Sequence, residues 1–206
     1  MKNIKYYIIY IFIGLIISKV LYNYNFDNNI IIKTSTKDGK EYFVLNYYNS
    51  LGAANQLADI NLRMKKLFDE CSNDDSEDHS ESNKRMIEKY NFDKLSELSP
   101  TSKYTAYSLN KGEKIKLCLR DNDNNLINNI NLSMFVMCHE LSHLKTKEEQ
   151  HPPIFWDNMI YLLKKASDCG VYIPADYKKN PVYYGHNIIN NNPMFKEEEE
   201  SYPYIN

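Results

Sequence analysis

The chain has 206 residues and a formal net charge of −2 at pH 7. That length accommodates one domain of moderate size plus an attachment, and the charge balance gives no global basic signature for nucleic acid. Its four cysteines have no metal-type spacing; Cys118 and Cys138 fall in apolar patterns typical of free buried thiols.

In chain order, residues 4–21 read IKYYIIYIFIGLIISKVL, apolar or aromatic apart from Lys5, Ser18 and Lys19. The run is near the lower end of the length for a spanning helix. Its lysines lie near the ends, where they can snorkel, and Tyr6, Tyr7, Tyr22 and Tyr24 sit where an aromatic belt would form. A cleaved signal peptide wants small residues that SKVLYNYN does not offer, and a core helix wants a polar face that this run lacks. The expectation is a single-pass membrane anchor over residues 1–25, of open orientation. A folded domain over 26–190 and an acidic tail over 191–206 follow.

Residues 30–46 read as strand, turn and strand, with Asp38-Gly39 in the turn. Residues 51–69 carry the apolar spacing of an amphipathic helix. The stretch CSNDDSEDHSES (71–82) reads as a solvated acidic loop that exposes His79, without the glycine and spacing of a calcium-binding loop. A second helix is expected over 83–95. Strands follow at 104–109 and 114–120, joined by Asn110-Lys111-Gly112; the second alternates Ile115, Leu117 and Leu119 with charged residues. Residues 131–147 read NLSMFVMCHELSHLKTK, a broad apolar helical face with Asn129 or Asn131 as cap and no internal Pro or Gly. Residues 154–168 form the last expected helix, ended by Gly170. Beyond 171 the chain is rich in Tyr, Pro and Asn and reads as irregular.

The third helix carries His-Glu-Leu-Ser-His at 139–143. Residues four apart share a helical face, so His139 and His143 can reach one metal ion. Glu140 stands where its carboxylate can take a proton from the water that such a metal activates. A catalytic zinc site needs three protein ligands and one open position. His151 is the nearest third ligand, because Pro152 and Pro153 stop helical continuation and let the chain turn back. A Glu or Asp from elsewhere is the alternative, while Glu148 and Glu149 look like a solvated charged end.

Three separated blocks then resemble one family. YSLNKGEKIKLCLR (107–120), VMCHELSH (136–143) and HPPIFWDNM (151–159) are similar to the WLM group of zinc metallopeptidases, relatives of the SprT proteases within the zincins. The matching residues are Asn110, Lys111, Gly112, Arg120, His139, Glu140, His143, His151, Phe155 and Trp156, and the resemblance covers about 100–185. In place of the family's often glycine-containing segment before the third histidine, this chain has LKTKEEQ. The resemblance implies an α+β zincin-like fold, Zn2+ held by His139, His143 and His151, and Glu140 as general base.

These readings combine into a membrane-anchored zinc endopeptidase that acts on a protein or peptide substrate, with strand 114–120 as the edge that takes it up. Tyr172, Tyr183, Tyr184 and His186 are candidates to stabilise the oxyanion. Two alternatives stand beside it. One is a soluble protease of DNA–protein crosslinks, which the resemblance implies and which would bring nucleic acid as a partner. The other is a non-catalytic membrane interaction protein whose zinc site is structural or lost.

Overall fold

The structure, a computed structural model, describes residues 2–27 and 29–195, with side chains described for 6–18 and 29–195. Helix α1 (Lys2–Asp27) forms over the apolar N-terminal run. Its described side chains, from Tyr6 to Ser18, are exposed on every face. Among the described residues, no helix is long and apolar enough to cross a membrane, which overturns the expected single-pass anchor over 4–21. The run itself carries polar groups, the hydroxyls of Tyr6, Tyr7 and Tyr10 and the charges of Lys5 and Lys19. The side chains of Tyr22 and Tyr24, and the EEEE run at 197–200, lie outside the described residues.

The rest is α+β, as the element pattern implies. Strands β1 (Ile30–Thr34) and β2 (Glu41–Leu45) pair antiparallel, with Ile32 opposite Phe43. The turn between them is longer than a two-residue hairpin: Ser35 N–H donates to the Lys40 carbonyl and Gly39 takes φ 72°. Helix α2 (Ser50–Ser72) is capped by Asn49, whose side chain accepts from Gly52 N–H. It buries Ala54, Leu57, Ala58, Met64 and Leu67 against the core. The helix continues into the segment read as an acidic loop, and α3 (Ser80–Lys89) takes up that segment's other end. His79 is half-buried with its ring 3.8 Å from that of Tyr161, rather than solvated.

A second sheet holds three strands in the order β3 (Leu95–Leu98), β5 (Lys114–Cys118), β4 (Ala106–Leu109). β3 runs parallel to β5 and β4 antiparallel to it. This corrects the reading of the 114–120 segment as the open edge: β5 is paired on both sides and β4 is an edge. β3 falls where a helix end was expected. Its LSEL sequence lacks the alternation of a half-buried strand because all four residues are buried. Glu97 is stable there because Arg120 Nε lies 2.7 Å from its carboxylate, with Leu45 N–H donating to the other oxygen at 2.7 Å. Both side chains of the ion pair are essentially sealed from water.

Helix α4 (Ile130–Lys145) crosses the middle of the domain, packed by α3, α5 (Pro153–Asp168) and β4. Asn129 caps it, accepting from Leu132 N–H at 3.0 Å. Leu132, Met137, Leu141 and Leu144 are buried to 1% exposure or less, each contributing about 1.5–3 kcal/mol through burial. The segment read as irregular contains a hairpin, β6 (Val182–Tyr184) and β7 (Asn187–Ile189). It is too short and too rich in Asn and Tyr to carry a periodic signal.

Candidate metal centre

α4 places His139 and His143 one turn apart, with ring centroids 5.0 Å from each other. The chain leaves the helix at Thr146, whose backbone is extended. It then turns at Gln150, which takes a left-handed φ of 65°. That turn returns His151 to the helix, with its Nε2 3.3 Å from the Nε2 of His139. One nitrogen from each of the three histidines lies within 4.8 Å of the others. Sequence reasoning nominated these histidines, and the fold brings all three together.

Phe155 supports the cluster from behind. Its ring, fully buried, stands 4.9 Å from His139, 4.6 Å from His143 and 4.5 Å from His151. Trp156 closes on His151 at 5.7 Å. Pro153 at the helix start aims both aromatics by fixing the first turn of α5. Burial holds all three imidazoles toward the neutral form: His139 lies well below the usual range, His143 is pushed down to about 4 and His151 is lowered. Neighbouring rings add to the effect for His139 and His143.

The donor set fits zinc. Neutral imidazoles are the ligand form. Two nitrogens bound tetrahedrally at about 2.0–2.1 Å would stand about 3.4 Å apart, close to the observed separation of His139 and His151. Glu140, 6% exposed, is pushed up to about 7 by desolvation.

The histidines and Glu140 open into a cavity of about 640 Å³. Its walls include β4, Lys111 and the β7 strand. The Asn110-Lys111-Gly112 turn reaches this wall through three consecutive positive φ angles of 48°, 51° and 105°. A Cβ on Gly112 would stand 2.6 Å from Leu144 Cδ2 and 2.8 Å from the Lys89 carbonyl, so only glycine lets the turn dock on α4.

The candidates for the oxyanion do not reach the cavity wall. Tyr172 and Tyr184 are buried, with Tyr184 O–H 3.2 Å from Ser133 Oγ and Tyr172 O–H accepting from Asn192 at 2.9 Å. Tyr183 and His186 are exposed elsewhere. Tyr104 and Tyr107 are the tyrosines that line the cavity; a strand over 104–109 was legible, but neither its edge position nor which side the helix would cover. Arg120, part of the resemblance, serves the Glu97 pair. All four cysteines are free thiols.

A family model described as WLM domain matches residues 84–202. An uncharacterized protein of Acanthamoeba polyphaga mimivirus is 35% identical over 149 residues, 70% of this chain and 75% of that protein. No solved structure matches the chain. The WLM family is associated with metalloprotease activity, and the three-histidine cluster fits a metal cofactor. By the family model and the viral relative together, the chain belongs to the WLM domain family.

Proposed function

We propose that the protein is a zinc-dependent endopeptidase. The observation that carries this reading is a buried carboxylate, Glu140, opening into one cavity with three imidazoles whose nitrogens lie within 4.8 Å of one another. His139, His143 and His151 would hold the ion. Zinc, when bound, supplies a Lewis acid that polarises a carbonyl and draws the pKa of water toward neutrality.

The remaining steps belong to the chain's own groups. β4 lies at a sheet edge beside the cavity, so an extended peptide can add to it by main-chain hydrogen bonds. This presents a peptide carbonyl to the site. Glu140 takes a proton from the attacking water as the C–O bond forms. It delivers that proton to the amine nitrogen as the C–N bond breaks. Burial raises the pKa of this carboxyl by desolvation and so makes Glu140 a readier proton acceptor. Phe155 keeps water from the rear of the imidazoles and fixes their rotamers.

The test is Glu140→Gln. The variant is expected to keep its fold and its zinc while cleavage of unfolded casein falls by about 10²–10⁴-fold. Cleavage at the wild-type rate would refute the reading.

A further inference from the structure

The cavity extends well beyond the histidines, and its two ends differ. Near His151 the lining is polar, with Glu148, Glu149 and Lys111. Away from them the lining is mixed, with four apolar side chains beside Asn187, Asn190 and Asn191. Phe135 and Val136 come from α4, and Ile188 and Ile189 come from β7. Phe135 and Val136 lie one helical turn before His139, so they share its face. They adjoin the place where a scissile bond would sit.

The β6–β7 hairpin is built as a fixed wall. Tyr184 is fully buried, with its hydroxyl against Ser133 of α4. Gly185 takes φ 60° and packs so closely on Cys118 that a Cβ would stand 2.8 Å from its sulfur. Asn187 reaches across to donate to the Lys103 carbonyl at 3.3 Å, tying the hairpin to the segment that leads into β4. Three separate anchors thus set β7 opposite the edge strand.

We propose that Phe135, Val136, Ile188 and Ile189 form a subsite that selects a large apolar side chain on one of the two substrate residues flanking the scissile bond. Tyr184 and Gly185 act as positioning residues for it. The proposal rests on the endopeptidase reading for its substrate, a peptide, but recognition precedes chemistry and can be read without it. The occupant follows from continuity: a peptide laid along β4 over the histidines must put a flanking side chain either here or toward Glu148 and Glu149. Only the first surface offers apolar side chains for an apolar group to pack against.

Binding is measured on the Glu140→Gln protein by NMR, with two acetylated hexapeptides that differ only in Leu or Gly at the central position. The Leu peptide is expected to bind about ten-fold or more tightly, with the largest shifts at Val136 and Ile188. The variant Ile188→Asp, at a half-exposed position, should lose that preference while keeping its melting transition. Tyr184→Phe should weaken it while leaving Gly-peptide binding unchanged. Equal affinity for the two peptides, or shifts confined to the Glu148 end, overturns the proposal. Should that variant fail to fold, Tyr184→Phe carries the comparison. A Leu preference in binding, with no cleavage of casein by wild type, would sink the peptidase reading and leave the subsite standing.

Discussion

His139 and His151 lie twelve positions apart in sequence, yet their Nε2 atoms are 3.3 Å apart. The first comes from a buried helix and the second from a strained turn after it. A metal ion held by these histidines would therefore depend on the turn as much as on the helix. Wild-type protein is expected to hold one zinc per chain by elemental analysis. His139→Ala and His151→Ala should each weaken zinc by more than the 10–100-fold typical of losing an outer partner. Equal zinc content in the His151→Ala variant would remove His151 from the ligand set.

Gln150 carries the left-handed φ that turns the chain into His151. A non-glycine residue there costs about 1 kcal/mol or more, whereas glycine adopts it freely but gains unfolded entropy worth about 0.4–1 kcal/mol. Gln150→Gly is thus expected to change unfolding stability by less than about 1 kcal/mol and to keep zinc. Gln150→Val, β-branched, should cost about 1–3 kcal/mol and weaken zinc. Chemical denaturation with zinc titration reads both effects. Identical behaviour of Gly and Val at this position would show that the turn does not set the site.

Arg120 and Glu97 form an ion pair sealed from water. Removing one partner strands a buried charge, so Arg120→Met should destabilise by about 3–5 kcal/mol. Replacing both with Met should recover much of that loss, since an apolar pair of similar volume is often neutral or better. A double-mutant cycle by urea unfolding checks this. A double variant as unstable as the sum of the singles would mean that the pair does more than neutralise itself.

Asp74 ties the loop after α2 to α5, accepting from Tyr161 O–H at 2.9 Å and standing 3.0 Å from Lys165 Nζ. Hydrogen bonds from Ser76, Lys165 and Tyr161 hold its carboxyl well below the usual range. Because the folded pKa is depressed, the stabilisation is fully present above the unfolded value of about 3.9. It is lost as pH falls below that value toward the folded pKa. The melting-temperature gap between wild type and Asp74→Asn should be constant above about pH 5 and shrink as pH drops below about 4. A gap independent of pH would assign it to packing instead.

Local chemistry explains what was legible. The α4 segment broadcasts its helix through apolar spacing and an Asn cap, and the His-Glu-Leu-Ser-His spacing fixes a shared face for His139 and His143 whatever the surroundings. Pro152 and Pro153 fix the helix break that frees His151. The three family blocks lie in the same order along the chain. β3 and the β6–β7 hairpin were not legible. Each is three or four residues long, and each is held by distant partners: Glu97 by Arg120, Tyr184 by Ser133, Gly185 against Cys118.

Sequence by itself determined the candidate ligand residue types, their helical spacing and the α+β class, because these follow from local periodicity and side-chain chemistry. Tertiary structure alone decided three things. It sealed β5 between β3 and β4, which moved the open edge to β4. It took the four tyrosine and histidine candidates away from the cavity and put Tyr104 and Tyr107 there. It also drove Glu140 toward neutral pH by burial. Each depends on what lies across a gap of many residues, and neither hydropathy nor motif spacing encodes the identity of a neighbour brought there by folding.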